Sequence, residues 1–417
     1  MPFFTLLSVV ALVVAMVFSW QKKISSLIRY RPNQVFGIFI IWLFITCITA
    51  FKHNTAWLGT LNFVPLIFFT CSSGIFIQKI SQLRTMSWLI VLPSMAIVGL
   101  GLGQIFFGWE TPSFLYRLDL GWNLTAYGNP QGRMSSIFMY ANILGAYLLF
   151  VFILGVGLWL DCYLIWRKNF NQKGKILLTI LSLAIIADFI GIVFSDSRNA
   201  WIIAIAGCLA FSIYLGHHWL SIIVTSIAAI VSGASWLPHP LSNYLRVIVP
   251  SFLWARLSDE LYPDRTLASL RTTQWEFALK MMKEHPIFGW GLRNFSHLYQ
   301  TQWGEWFGHP HNFFIMLLAE IGIPGTLILC GLISWIYIQS IKILINFNTN
   351  KKKQSSEHLI FFSYLIAFAS CTLFNLFDVT LFNTKINIFD WIILSAIWGI
   401  VYNYSQSSVI NQKEKGE

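Results

Sequence analysis

Charge is what this sequence has least of. Only 11% of its 417 residues are charged, against 56% hydrophobic and 17% aromatic. A soluble domain carries about 25% charged residues. The shortage excludes an ordinary soluble globular protein and points to one that crosses a membrane many times. Acidic residues are scarcer still: 17 Asp and Glu face 28 Lys and Arg, a formal net charge of +11. Basic residues gathered in short loops are what membrane topology alone produces, so the excess is no nucleic-acid signal. The six cysteines, Cys47, Cys71, Cys162, Cys208, Cys330 and Cys371, lie within or at the end of apolar runs. None has metal-site spacing, and no disulfide framework is expected; they read as small packing residues. The first apolar run, 3–20, lacks both a basic leader and a small-residue cleavage site. It is expected to be a retained span.

A span needs roughly 20 apolar residues. Eleven runs qualify, at about 3–20, 35–51, 57–77, 86–107, 134–161, 176–194, 200–216, 219–236, 312–338, 358–377 and 387–404. The expected fold is therefore an all-α polytopic bundle of about 11–12 transmembrane helices. Lys and Arg then fall unevenly. The segments after the first, third, fifth and ninth runs and the tail hold sixteen, including Lys22, Arg31, Arg84, Arg167 and Lys352. The short segments on the other side hold five: Lys52, Arg117, Arg133, Arg198 and Lys385. The positive-inside rule puts the first set in the cytoplasm, the N-terminus outside and the C-terminus inside. Residues 237–311 form the one long hydrophilic segment, on the outer side. Long loops translocate regardless of charge, and such a loop is where function is expected. The chain thus divides into N-terminal spans (1–131), a region with the large helical loop (132–404), and a cytoplasmic tail (405–417).

The outer face gathers the chemistry. In the loop, "TLASLRTTQWEFALKMMKEHP" reads as an amphipathic helix with Leu267, Leu270, Trp275, Ala278, Leu279 and Met282 on its apolar face. Arg271 sits at the edge of that face, and Pro286 ends the helix. "FGWGLRNF" follows, with Gly289 and Gly291 permitting a close backbone approach. "FSDSRNAW" puts Ser195, Asp196, Ser197 and Arg198 in a short turn between two spans. Arg198 there is either an interfacial anchor paired with Asp196 or a phosphate-binding arginine beside hydroxyls at a helix N-terminus. Arg133, just before the fifth run, is either a third phosphate ligand or a topology residue. Asn142 lies within that run and needs a partner in the bundle.

"GHPHNFF" places His309 and His311 at the mouth of the ninth run. A His-x-His pair can bind a metal, but the sequence puts no Asp, Glu or Cys cluster beside it, and no metal or cofactor is expected. A histidine at a helix N-terminus is held towards its neutral form by the dipole, which is the form a general base needs. Three acids fall within apolar runs. Asp188 and Asp390 read as packing groups. Glu320, in "LLAEIGIPG", reads as a tie between the top of its span and its neighbours, and Gly322, Pro324 and Gly325 predict a kink there.

Taken in order, "GRMSSIFMYANILGAYL", "SDSRNAW", "RTTQWEFALKMMKEHPIFGWGLRNF" and "HPHNFFIMLLAEIGIPG" resemble the bacterial O-antigen ligase and polymerase superfamily, over about 132–325. The resemblance implies a metal-independent membrane glycosyltransferase of the bacterial inner membrane, working on its periplasmic face. Its donor would be a glycan on undecaprenyl diphosphate. Its acceptor would be another glycan chain or lipid A–core. It implies that Arg198 and Arg271 hold the diphosphate, with Arg133 a candidate third ligand beside them. It implies that His311 acts on the acceptor hydroxyl with His309 nearby; Ser197, Asn312 and Glu320 are candidate supporting residues. Family members commonly have about twelve spans and a cytoplasmic N-terminus, from which the charge count departs. A transporter of a small anion or lipid-linked solute is the competing class. Transporters usually carry internal repeats and a midplane site; this sequence shows no two-fold repeat, and its candidate residues share one face. A non-catalytic export partner, which would tolerate loss of His311, is the third.

Overall fold

The computed structural model describes residues 24–114, 123–258, 266–349 and 357–414, together with Val14 and Trp20. No strand occurs among the described residues. The helices are α1 (Arg31–Ile48), α2 (His53–Thr60), α3 (Val64–Phe76), α4 (Ile80–Phe107), α5 (Ala141–Asn169), α6 (Gln172–Phe194), α7 (Arg198–Tyr214), α8 (His218–Trp236), α9 (Leu241–Ile248), α10 (Ser251–Leu257), α11 (Arg271–Glu284), α12 (Phe295–Trp303), α13 (Phe313–Thr349), α14 (Glu357–Phe374) and α15 (Thr384–Glu414). Nine stretches among the described residues are long and apolar enough to cross a membrane, with α2 and α3 counted as one; α7 is apolar but shorter. The protein is a multi-span helical membrane protein, and ten of the eleven expected runs coincide with helices. The run at 3–20 falls almost wholly outside the described residues.

Two runs start or break where hydropathy alone gives no sign. The run at 134–161 becomes helical only at Ala141. Its first residues form an irregular segment because Gln104 captures their backbone: its Oε1 accepts the N–H groups of Ser135 (3.1 Å) and Ser136 (2.8 Å). The run at 57–77 breaks between Thr60 and Val64, where Pro65 opens α3. A carbonyl freed at the break, that of Asn62, is satisfied by Asn387 Nδ2 at 2.8 Å.

α5 is the central helix, buried along most of its length against α4, α6, α7 and α14. Lipid tails are as apolar as leucine, so such helices associate through close packing of small residues and interhelical hydrogen bonds. Gly157 of α5 meets Ser363 of α14. Thr70 of α3 pairs with Ser395 of α15 at 2.8 Å. At the opposite end from His311, Arg84 of α4 forks onto Asp161 of α5 (2.7 and 3.0 Å), leaving neither partner of that buried contact unpaired.

The predicted kink in α13 is at Gly322, whose backbone leaves the helical region (φ 73°, ψ 175°). The "FGWGLRNF" loop fills the gap. Trp290 N–H donates to Ala319 O (3.0 Å), Gly291 N–H to Glu320 O (2.8 Å), and Ile323 N–H to Pro286 O (2.9 Å). Gly289 (φ 65°) lies against the Glu320 carbonyl, where a Cβ would collide. The close approach expected of these glycines is therefore the docking of the loop into a broken membrane helix.

The large segment after α8 is helical, as expected, but α11 begins at Arg271 rather than Thr266. Leu267–Ser269 form a separate 3-10 turn, and Leu267 is 68% exposed. The buried stripe of α11 is Gln274, Ala278 and Met281, rotated from the face read in the sequence. Gln274 is admitted to it because its Nε2 donates to Ala268 O (3.2 Å).

Candidate active site

His311 stands two residues before α13 in a left-handed conformation (φ 51°), which is uncommon for a side chain with a Cβ and concentrates at functional sites. Local bonds hold it there. Its N–H donates to His309 Nδ1 at 3.2 Å. The next residue, Asn312, caps α13 by accepting Ile315 N–H (3.0 Å) and ties it to the following turn by donating to Leu376 O (3.0 Å). Trp275 Nε1 donates to Pro310 O (2.8 Å), which clamps α11 against the "HPH" segment.

The turn between α14 and α15 brings Asp378 to His311. Phe313 N–H donates to Asn375 O (2.9 Å), and the Asn375 side chain accepts Thr380 N–H (3.0 Å), so the turn is fixed from both sides. Thr380 in turn donates to Asp390 Oδ2 (2.7 Å), consistent with a packing role for Asp390. Asp378 is 3% exposed. Its Oδ1 lies 3.2 Å from His311 Nδ1, 3.8 Å from His309 Nε2 and 2.9 Å from Val379 N–H; its Oδ2 accepts Asn142 Nδ2 at 3.0 Å. Burial alone would raise this carboxyl. The hydrogen bond and charge of His311, with His309 and the Val379 N–H, outweigh burial and hold it well below the usual carboxylate range.

Asn142 continues the network, and this is the partner that its place in the apolar run demanded. Its Oδ1 accepts Arg133 at 2.6 Å, and the same guanidinium donates to the carbonyls of Ser195 and Asp196. Arg256 of α10 donates to the Asp196 carbonyl and pairs with its carboxylate at 2.9 Å; Arg133 lies 3.7 Å from that carboxylate. Asp196 is thus held by Arg256 and Arg133. Burial pushes its carboxyl up, opposed by Arg256, Arg133 and Arg198.

The sequence-predicted residues therefore divide. His309, His311 and Asn312 stand together. Arg271, first residue of α11, is near enough for its charge to act on His309. Arg198 opens α7, whose next residue, Asn199, reaches Phe377 O (3.5 Å) beside Asp378. Arg133 is 7% exposed, with donors turned onto protein acceptors. Ser197 is buried against Gly145 of α5. Glu320 stands in the kink of α13, accepting the N–H groups of Arg293 (2.8 Å) and Phe295 (3.1 Å), the tie expected of it.

Asp378, Arg256 and the partner role of Asn142 were not legible as site features. Asp378 lies outside the apolar runs, and a search of acids confined to those runs passes over it. Its sign was its place in the short "NLFDVT" turn, on the same face as His311 by alternation. It also corrects the expectation that no acid accompanies the histidines: donor atoms of His309, His311 and Asp378 lie within 4.8 Å of one another, close enough to hold a metal ion. The hydrogen bonds favour another arrangement. His309 Nδ1 accepts the His311 N–H, so its lone pair is there and the neutral ring carries its proton on Nε2, facing Asp378. Burial, with His311 and Arg271, pulls His309 down to about 4 and keeps it neutral.

The N-terminal ends of α5, α7, α11 and α13 converge around this network. The backbone dipole gives each end partial positive charge, which favours an anion. No curated protein matches the chain. Residues 183–330 match the family model described as O-antigen ligase, which takes in three of the four motifs, those around Arg198, Arg271 and His311. The match covers about a third of the chain and supports, as a likeness, a role in membrane glycan transfer during polysaccharide biosynthesis.

Proposed function

We propose that the protein is a metal-independent glycosyltransferase of the bacterial inner membrane. It would move or polymerise a glycan from an undecaprenyl-diphosphate donor onto an acceptor hydroxyl on the periplasmic face. The observation that carries this reading is the pairing of His311 with Asp378 at 3.2 Å, at a place where Arg198 and Arg271 each open a helix. With Nδ1–H donated to Asp378, neutral His311 presents the lone pair of Nε2, and its side chain is 26% exposed.

In the reaction, the acceptor oxygen attacks the anomeric carbon of the donor sugar. The bond from that carbon to the diphosphate oxygen breaks, its electron pair leaves with the diphosphate, and the acceptor proton passes to His311 Nε2. Attack opposite the leaving group inverts the anomeric centre. Arg198 and Arg271 stabilise the charge growing on the diphosphate; arginine suits this because its fork pairs bidentately with phosphate and stays charged. Arg133 holds the Ser195–Asp196 turn from behind. A cavity of about 150 Å³, lined by Phe314, Ile333, Phe368 and Leu394, reaches Asn375 and Thr380 and offers an apolar seat to a few carbons of the lipid chain.

The test is transfer of a lipid-linked glycan by purified protein in vesicles. Arg198→Ala, Arg271→Ala and His311→Ala are each expected to abolish transfer while still inserting. Full activity in all three would overturn the reading. Deletion in cells then separates the two acceptor classes: accumulated lipid-linked polymer marks a ligase, and single lipid-linked repeat units mark a polymerase.

A further inference from the structure

The short helix α9 carries the sharpest division of apolar and polar residues in the large segment. At 100° per residue, Leu241, Tyr244, Leu245, Val247 and Ile248 occupy one arc, and Ser242, Asn243 and Arg246 the other. A surface helix normally turns its apolar arc inward. This one does the reverse: Leu241 is 57% exposed, Tyr244 72%, Val247 86% and Ile248 76%, whereas Ser242 is buried. Only Leu245 of the apolar arc turns back onto the protein.

The contacts of α9 fix its depth. Leu245 packs on Gly233, and Arg246 Nε donates to Ala234 O at 2.9 Å. Gly233 and Ala234 belong to the last turn of α8, a span with only 11% of its apolar window buried by protein. α9 therefore lies alongside the end of a lipid-facing span. Its exposed arc continues the apolar surface of α8, which ends on Trp236 (60% exposed) and Leu237 (44%). A tryptophan at the end of a span marks the membrane–water interface. Arg246 stacks on Trp254 of α10 at 4.0 Å, and so is turned away from the exposed arc.

We infer that the Leu241, Tyr244, Val247 and Ile248 face of α9 is seated in the lipid interface beside the end of α8, so that the large segment is anchored to the bilayer at this point. Amphipathic helices lie in the interface plane with the apolar face among acyl chains. The anchor is coupled to the network around Asp196, because α9 leads directly into α10, which carries Arg256.

Nitroxide labels on Ile248→Cys and Asn243→Cys test this in the full chain, in phosphatidylglycerol–phosphatidylethanolamine vesicles. The six native cysteines are first replaced in a background that still inserts. Collision with oxygen is expected to dominate at position 248, and collision with an aqueous nickel chelate at position 243. Tyr244→Cys, on the same face, should follow position 248 and serves if the Ile248 variant fails to fold. Equal nickel access at 248 and 243 would overturn the inference, since the face would then be in water. So would an immobile label at 248 that neither reagent reaches, since protein would then cover it. Neither outcome depends on the chemistry of His311.

Discussion

Asp378 and His311 are 67 residues apart in sequence, yet Asp378 Oδ1 lies 3.2 Å from His311 Nδ1. The carboxylate is itself fixed by Asn142 and by Val379 N–H, so it orients the imidazole as well as balancing the proton it takes. General base catalysis contributes about 10²–10⁴-fold. His311→Ala should lose that whole factor. Asp378→Asn keeps the shape but removes the charge that favours a protonated ring. It should lower kcat by a large part of the same factor with little change in KM. An unchanged kcat would show that Asp378 only packs.

Arg133 and Arg198 should separate in a comparison of stability with activity. Arg133 is buried and donates to two carbonyls and Asn142. Arg133→Ala strips those acceptors and should cost about 1–3 kcal/mol for each group left unsatisfied, visible as a lower melting temperature in detergent. Arg198 opens α7 and is half-buried. Arg198→Ala should cost transfer while lowering the melting temperature less than Arg133→Ala does. The reverse pattern would assign the diphosphate to Arg133 instead.

Glu320 makes no contact with the histidines and should behave as a structural residue. It receives two backbone N–H groups from the loop docked at the α13 kink. Glu320→Gln retains one acceptor oxygen and should cost less than Glu320→Ala, which strands both donors at about 1–3 kcal/mol each. Thermal unfolding checks the order. If Glu320→Gln instead abolished transfer at full stability, the carboxyl would belong to the chemistry.

Much of this fold was legible because hydropathy acts along the chain. Ten runs and the kink at Gly322 follow from composition and from glycine's access to positive φ. What was not legible depends on partners distant in sequence. Gln104 decides where α5 begins by capturing Ser135 and Ser136, and nothing near residue 134 announces it. Gln274 can enter the buried face of α11 only because Ala268 supplies an acceptor. At the site, His311 stood out as a titratable group at an element end, and Arg271 as a cation at the edge of an apolar helix face. Asp378 did not, because an acid in a short polar turn is unremarkable until the turn is folded over α13.

His309 should leave a signature in stability against pH. Its ring is pulled from an ordinary value of 6.5 to about 4 in the folded protein. Between those values the unfolded chain binds a proton that the folded chain refuses, so stability rises with pH across the window and is lost as pH falls from 6.5 towards 4. Asp378, held below the usual carboxylate range, loses its contribution only under more acidic conditions. His309→Asn keeps an acceptor for the His311 N–H and removes the titration. Its melting temperature should therefore fall less steeply than the parent's between pH 6.5 and 4. Parallel curves would show that His309 titrates normally.

Chelation decides between a hydrogen-bonded pair of histidines and a metal centre. A metal would need the lone pair of His309 Nε2, but that atom carries the proton when Nδ1 accepts the His311 N–H at 3.2 Å. It would also compete with His311 Nδ1–H for Asp378 Oδ1. Binding an ion would require turning His309 over and breaking both contacts. Purified protein treated with a strong chelator and then dialysed is therefore expected to retain full transfer, and added zinc to inhibit by occupying the base. Loss of transfer on chelation, restored by a stoichiometric divalent ion, would instead make His309, His311 and Asp378 ligands and move the base elsewhere.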